Sequence, residues 1–223
     1  MNKKPFLIVL LFCVCLLLLA ACSGASPEPA PEPSPEPTPG ALTTGPARGV
    51  WDGQVYTNDS LGLQMSLPEY WEIATDEEIA ELFGIVAELG GGLLPVGDLW
   101  DALELLNVID ALAIDFATGA NINIIFERLV FPMTRLTGQD YVELVVSQYE
   151  AVGTQVNEDR TGTVHQLGDR QWYMVSYTTA AFGFGPAGHG LQLINVEDGF
   201  VVVITITYYD NSASGDEILT WFS

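Results

Sequence analysis

The chain predicts an α+β domain: an antiparallel β-sheet flanked by helices, preceded by an export signal and a spacer. Three observations carry this. Short alternating runs are joined by hairpin-length connections, which favours antiparallel pairing over a doubly wound sheet. Three Ser/Thr-x-x-Asp/Glu signatures mark helix starts at Thr75, Thr137 and Ser214. The apolar and charged residues are also divided unevenly along the chain.

That division explains a conflict in the composition. With 29 Asp+Glu against 7 Lys+Arg the formal charge is −22, yet the mean hydropathy is positive, at +0.27. Both lysines, Lys3 and Lys4, precede an apolar run from Phe6 to Ala21 that carries much of the hydrophobic excess. The 202 residues after that run hold all 29 acids, 5 arginines and no lysine, a charge of −24. Nucleic-acid binding is excluded, because phosphate neutralisation needs clustered Lys/Arg. Adsorption to anionic lipid through a basic surface helix is excluded for the same reason.

Residues 1–21 have the form of a signal peptide, with a basic start and an apolar stretch too short to span a bilayer comfortably. The stretch ends in Leu19-Ala20-Ala21-Cys22, which resembles the bacterial lipobox. The resemblance implies that Cys22 is diacylated with palmitate-type chains and becomes the new N-terminus. Several chains on one residue would hold the protein at the extracytoplasmic face of the cell membrane, where one chain binds only reversibly. Cys13 and Cys15 would leave with the signal. The mature domain would then have no thiol for a disulfide, a metal or a nucleophile.

Residues 22–47 are the lipidated cysteine and a linker. Pro-Glu-Pro recurs three times at a period of four from Ser26 to Pro37. Proline fixes φ and lacks an N–H, so neither helix nor sheet forms, and a polyproline II spacer is expected.

Residues 48–223 form one domain, and their 21 aromatics argue for a packed core. Val50 to Tyr56 and Leu61 to Leu67 read as two strands. A helix starts at Thr75 and places Ile79, Leu82, Phe83, Val86 and Leu89 on one face, stopping at Gly90. A short helix near Asp98 and an extended stretch ending at Phe116 follow. Asn121 to Glu127 alternates as a strand. The Thr137 cap opens a helix with Tyr141, Leu144, Val145, Gln148 and Val152 on one face. Short strands are expected at Thr154–Asp159 and Thr161–Leu167, and longer ones at Arg170–Ala180, Leu191–Val196 and Phe200–Tyr209. Both faces of the last read as apolar, so it is central. A C-terminal helix after Ser214 docks Ile218, Leu219 and Phe222.

Tyr56-Thr-Asn58, Leu61-Gly-Leu63, Leu67-Pro68 and Trp71 resemble the opening of PsbP-like domains, and Asn121-Ile-Asn123 and the strand-strand-helix finish are similar too. The resemblance implies a curved antiparallel sheet sandwiched by helices on both faces. It also implies a non-catalytic domain, since the better-known members bind and stabilise protein assemblies or bind a GTPase. The matched positions are structural, so no functional residue carries over. The chain departs from that pattern in lacking the lysines with which a docking protein would meet an acidic partner.

Motifs for chemistry are sparse. Gly183-Phe-Gly185-Pro-Ala-Gly188 spells G-x-G-x-x-G, but a strand rather than a helix follows it and Pro186 removes an amide, so a loop between strands is expected. Asp210 to Gly215 imitates half of an EF-hand loop, but Trp221 stands where the bidentate Glu belongs. His165 and His189 have no ligand neighbours at i+2 or i+4, which disfavours zinc. No G-x-S-x-G is present. The acid pairs Asp98/Asp101 and Glu143/Glu150 suit helix starts and solvated faces. The tryptophans Trp51, Trp71, Trp100, Trp172 and Trp221 are expected in the core. Phe182 and Phe184, on the glycine-rich stretch with His189 beside them, form a candidate recognition loop.

The expectation is a lipid-anchored extracytoplasmic domain that binds a protein or envelope component, is not an enzyme and uses no cofactor beyond its lipid. The alternative is a cell-envelope hydrolase, or a solute or Ca²⁺ binder that uses carboxylates.

Overall fold

The computed structural model describes residues 46–79, 81, 107–129, 133–179 and 187–223. Its first strands are β1 (Val50–Asp52), β2 (Val55–Asn58) and β3 (Leu63–Ser66), which form a three-stranded antiparallel sheet. Val50 to Tyr56 is therefore not one strand. Gly53 adopts φ 57, and the Asp52-Gly53 step folds the run into a hairpin that pairs Trp51 with Tyr56. Residues 221–223 cover the outer side of β3, with Gln64 and Ser223 exchanging backbone bonds at 2.9 Å in each direction. That pairing blunts an otherwise open edge.

The larger sheet contains β4 (Glu72–Ile73), β5 (Asn107–Ile114), β6 (Asn121–Arg128), β7 (Gln155–Val156), β8 (Val164–Leu167), β9 (Arg170–Thr179), β10 (Gly188–Glu197) and β11 (Phe200–Tyr208). Their order is β4-β5-β6-β11-β10-β9-β7, with β8 also paired to β9, and every pairing is antiparallel. β11 is central, as its two apolar faces predicted. Val202, Ile204 and Ile206 enter one cluster and Val201 and Val203 another. Each such buried aliphatic side chain contributes about 1.5–3 kcal/mol.

The first cluster lies between the two sheets. It joins Tyr56, Leu63 and Met65 of the small sheet to Trp172, Leu193 and Ile204 of the large one. Helix α2 (Gly215–Leu219) closes the same face with Ile218, and Phe222 follows it. Ser214 caps α2 by accepting from the Glu217 N–H at 3.2 Å. The opposite face carries helix α1 (Gly138–Ala151), whose Thr137 and Asp140 form a reciprocal capping box. The fold is thus α+β, an antiparallel sheet with a helix on each face and a small second sheet on one of them.

The buried side of α1 is Tyr141, Val142, Val145 and Tyr149, not the expected stripe through Leu144, Gln148 and Val152. Val152 is the C-cap and 42% exposed. The stripe is turned because Gly138 seats the helix against the Tyr173 ring, where a Cβ would lie 2.4 Å from the ring edge.

At the helix start expected at Thr75, the Thr75 N–H donates to Glu78 at 2.9 Å and the Glu78 N–H returns to the Thr75 hydroxyl at 3.3 Å. Residues 76–79 are helical, and Ile79 packs with Ile109, Leu112, Ile114 and Ile125 in a third cluster. The continuation expected through Leu89 and the helix near Asp98 lie outside the described residues. No helix among the described residues is long and apolar enough to cross a membrane.

Candidate functional site

The chain enters the domain at a fixed point. β5 pairs with β6 through a bulge between Ile109 and Ala111, and the intervening Asp110 has a fully buried side chain. A lone carboxylate there would be costly, and donors surround it. Both of its oxygens accept from the Gly49 N–H, at 3.1 and 3.0 Å. The Arg48 Nε lies at 3.4 Å, the Asn58 Nδ2 donates at 3.2 Å, and the Tyr56 hydroxyl completes the shell. Such charge-assisted bonds are the stronger kind. Burial, and then the Asp110 carboxylate, push the Tyr56 hydroxyl far above its ordinary pKa. Asn58 also donates to the Ala47 carbonyl at 2.9 Å. Gly49 must be glycine, since a Cβ would lie 2.3 Å from the Tyr56 ring.

Beside this clamp lies a cleft of about 560 Å³, lined by Ala47, Ser60, Leu61, Arg170, Asn195 and Phe200 among others. The Arg170 guanidinium pairs with Glu197 and donates to the Ser60 carbonyl at 2.7 Å. Asn195 spends its Nδ2 on the Gln171 carbonyl at 3.0 Å, leaving its buried Oδ1 without a partner. The cleft combines apolar side chains with Arg170 and the acids Glu197 and Asp198, and its cation is already paired with Glu197. Ser60 donates to Asn58 at 2.7 Å, and among the described residues no histidine lines the cleft.

Of the residues singled out in the sequence, Cys22, Phe182 and Phe184 lie outside the described residues, as do Asp98 and Asp101. His189 is the second residue of β10 rather than part of the glycine-rich stretch, because that strand begins at Gly188. Its ring stacks on Tyr208 with centroids 5.2 Å apart, and its Nε2 lies 3.2 Å from Asp210. His165 sits on β8 with the Thr163 hydroxyl 3.3 Å away. Glu143 and Glu150 are exposed on α1. Ser212 accepts from the Tyr209 N–H at 2.9 Å, making the Asp210 segment a turn before α2. Among the described residues no three His, Cys, Asp or Glu side chains are grouped to hold a metal ion.

Asp110, Arg170 and Asn195 were not singled out. Asp110 left a usable signal, as the one acid inside the apolar run from Val108 to Ile114. Arg170 and Asn195 left none, because strand pairing alone brings them together.

No family model matches the chain, and no curated protein is similar to it. Solved structures are similar at low identity. Cyanobacterial PsbP from Synechocystis aligns at 12% identity over 85% of this chain and 99% of its own, with a TM-score of 0.43. LpqN of Mycobacterium tuberculosis, described as involved in cell envelope biogenesis, aligns at 12% over 71% of this chain and 75% of its own, with a TM-score of 0.36. A Bacteroides thetaiotaomicron protein aligns at 10% over 77% of this chain but 48% of its own, with a TM-score of 0.37. The fold class rests on the sheet order and packing described above.

Proposed function

We propose that this protein is a lipid-anchored extracytoplasmic binding module, tethered through Cys22, whose domain holds a protein or envelope component without catalysing a reaction on it. The observation that carries the reading is the Asp110–Gly49 clamp beside the cleft. It fixes the root of the Pro-Glu-Pro stalk to the domain and makes Pro46 and Ala47 part of the cleft wall. The clamp gives Pro46 and Ala47 a constant place beside the cleft. The net charge of −24 repels an anionic membrane, so stalk and charge together hold the domain outward.

Two experiments test this. Cys22→Ser should release the protein to the medium or leave an unprocessed precursor; membrane retention with normal processing would refute the anchor. A photoreactive residue at the exposed Ala47 should yield a discrete crosslinked adduct in intact cells. If illumination gives no adduct, the cleft is not the binding surface.

A further inference from the structure

One face of the β10–β11 hairpin lines the cleft beside the clamp. Asn195 pairs with Val202 and Glu197 with Phe200, so these four side chains share that face. Asn195 and Glu197 form a polar column on β10, and Phe200 and Val202 form an apolar one on β11. The hairpin turns at Asp198 and Gly199, whose φ values are 52 and 81, and this two-residue turn brings Asp198 to the cleft.

The charges of this lining do not balance. Arg170 is spent on Glu197 and on the Ser60 carbonyl. Asp198 is exposed, and among the described residues nothing donates to its carboxylate. One cation, Arg170, against two carboxylates, Glu197 and Asp198, leaves the lining with a formal charge of −1. A metal ion does not fit this set. Ca²⁺ takes about 6–8 oxygens, whereas the cleft offers two carboxylates, one of them already paired. An organic cation on an aliphatic stem fits both halves of the lining. Its stem packs on Phe200, Val202 and Leu61, and its head group meets Asp198.

We propose that the cleft seats a basic side chain, lysine or arginine, of a positively charged partner protein. The inference rests on the reading of the cleft as the binding surface and names what that surface takes. At about 560 Å³ the cleft has the size of a ligand pocket and admits the side chain with its adjoining backbone. Charge decides between a basic protein and a small free amine. Electrostatic attraction grows with the charge of the partner, so a domain carrying −24 steers a polycationic protein far more strongly than a single ammonium group. A second copy of this chain is not the occupant, because its like charge repels it and no lysine follows Lys4.

The test extends the Ala47 photocrosslink in intact cells, using the full chain. The adduct should be a protein, and its crosslinked peptide, sequenced by mass spectrometry, should carry Lys or Arg within a few residues of the linkage. Asp198→Asn removes the free carboxylate and keeps the turn, since asparagine also tolerates positive φ. Glu197→Gln leaves Arg170 unpaired and the lining without its net negative charge. Each should lower the adduct yield by about fivefold or more, with a melting temperature within about 2 °C of the parent. Glu143→Gln, which makes the same change of net charge on exposed α1, should leave the yield unchanged. A non-protein adduct, a crosslinked peptide without Lys or Arg, or a yield that survives both cleft substitutions overturns this inference alone and leaves the cleft a binding surface. An equal loss in Glu143→Gln also overturns it, by assigning the effect to overall charge. No adduct from the parent chain overturns both the binding surface and the occupant.

Discussion

Both carboxylate oxygens of Asp110 accept from the backbone N–H of Gly49, at 3.1 and 3.0 Å, so a buried carboxylate on β5 holds the segment that leads into β1. The neighbouring groups, Tyr56 and Asn58, also donate to it. Asp110→Asn turns one acceptor into an amide donor facing donors. It should destabilise the domain by about 3 kcal/mol, because it breaks a buried hydrogen-bonded charge. Urea denaturation measures the loss. Hydrogen exchange at the Gly49 amide should accelerate beyond what global destabilisation explains. Unchanged stability would show that the clamp is incidental.

Glu127 gives a pH dependence of unusual sign. Burial beneath α1 pushes its carboxyl above the ordinary range, and the hydrogen bond from the Tyr141 hydroxyl only partly opposes this. The folded state then holds that proton more tightly than the unfolded chain does. Its contribution is fully favourable below the unfolded pKa and is lost as the pH rises through the raised one. Glu127→Gln keeps an acceptor for Tyr141 and removes the charge. The variant should melt a few degrees above the parent at neutral pH, and the difference should vanish near pH ~4. A constant offset at all pH values would exclude the mechanism.

The parts of this fold legible in the sequence are those set by local chemistry. Thr75/Glu78 and Thr137/Asp140 read as caps because an N-cap needs only its own next three residues. The β11 strand read as central because Val201 and Val202 are both apolar. The Asp52-Gly53 turn was missed although its dipeptide is a hairpin signal, since the apolar residues around it mimic one strand. Arg170 and Asn195 were illegible for a different reason. Each depends on partners brought together by strand register, which no local pattern records.

Two glycines at positive φ should respond very differently to the same substitution. At Gly199, φ is 81 and a Cβ would meet nothing within 4 Å. Gly199→Ala should therefore cost only the left-handed backbone penalty, about 1–2 kcal/mol. At Gly168, φ is 57 and a Cβ would lie 1.9 Å from the Gly62 carbonyl oxygen. Gly168→Ala forces the β8–β9 hairpin away from the β2–β3 turn and should cost more than about 3 kcal/mol. Chemical denaturation of the two variants gives the comparison. Equal losses would mean that the close approach of Gly168 to Gly62 does not constrain the fold.

The Thr137 cap can be separated from the charge that completes it. The Asp140 carboxylate accepts from the Thr137 N–H at 2.8 Å and from its hydroxyl at 2.7 Å, and these bonds hold the carboxyl below its usual pKa. The support from Asp140 is present above the unfolded value and fades as the pH falls through the lowered one. Thr137→Ala removes the hydroxyl that accepts from the Asp140 N–H and should cost about 1 kcal/mol, whereas Thr137→Ser should stay near the parent. Because α1 covers the Val201/Val203 side of β11, fraying at its first turn loosens Tyr141 over Glu127. Thr137→Ala should therefore also bring the Glu127 pKa back toward its ordinary value, read by NMR titration of its side-chain carboxyl. A full loss of cap stability with an unmoved Glu127 would show that the first turn and the buried pair are independent.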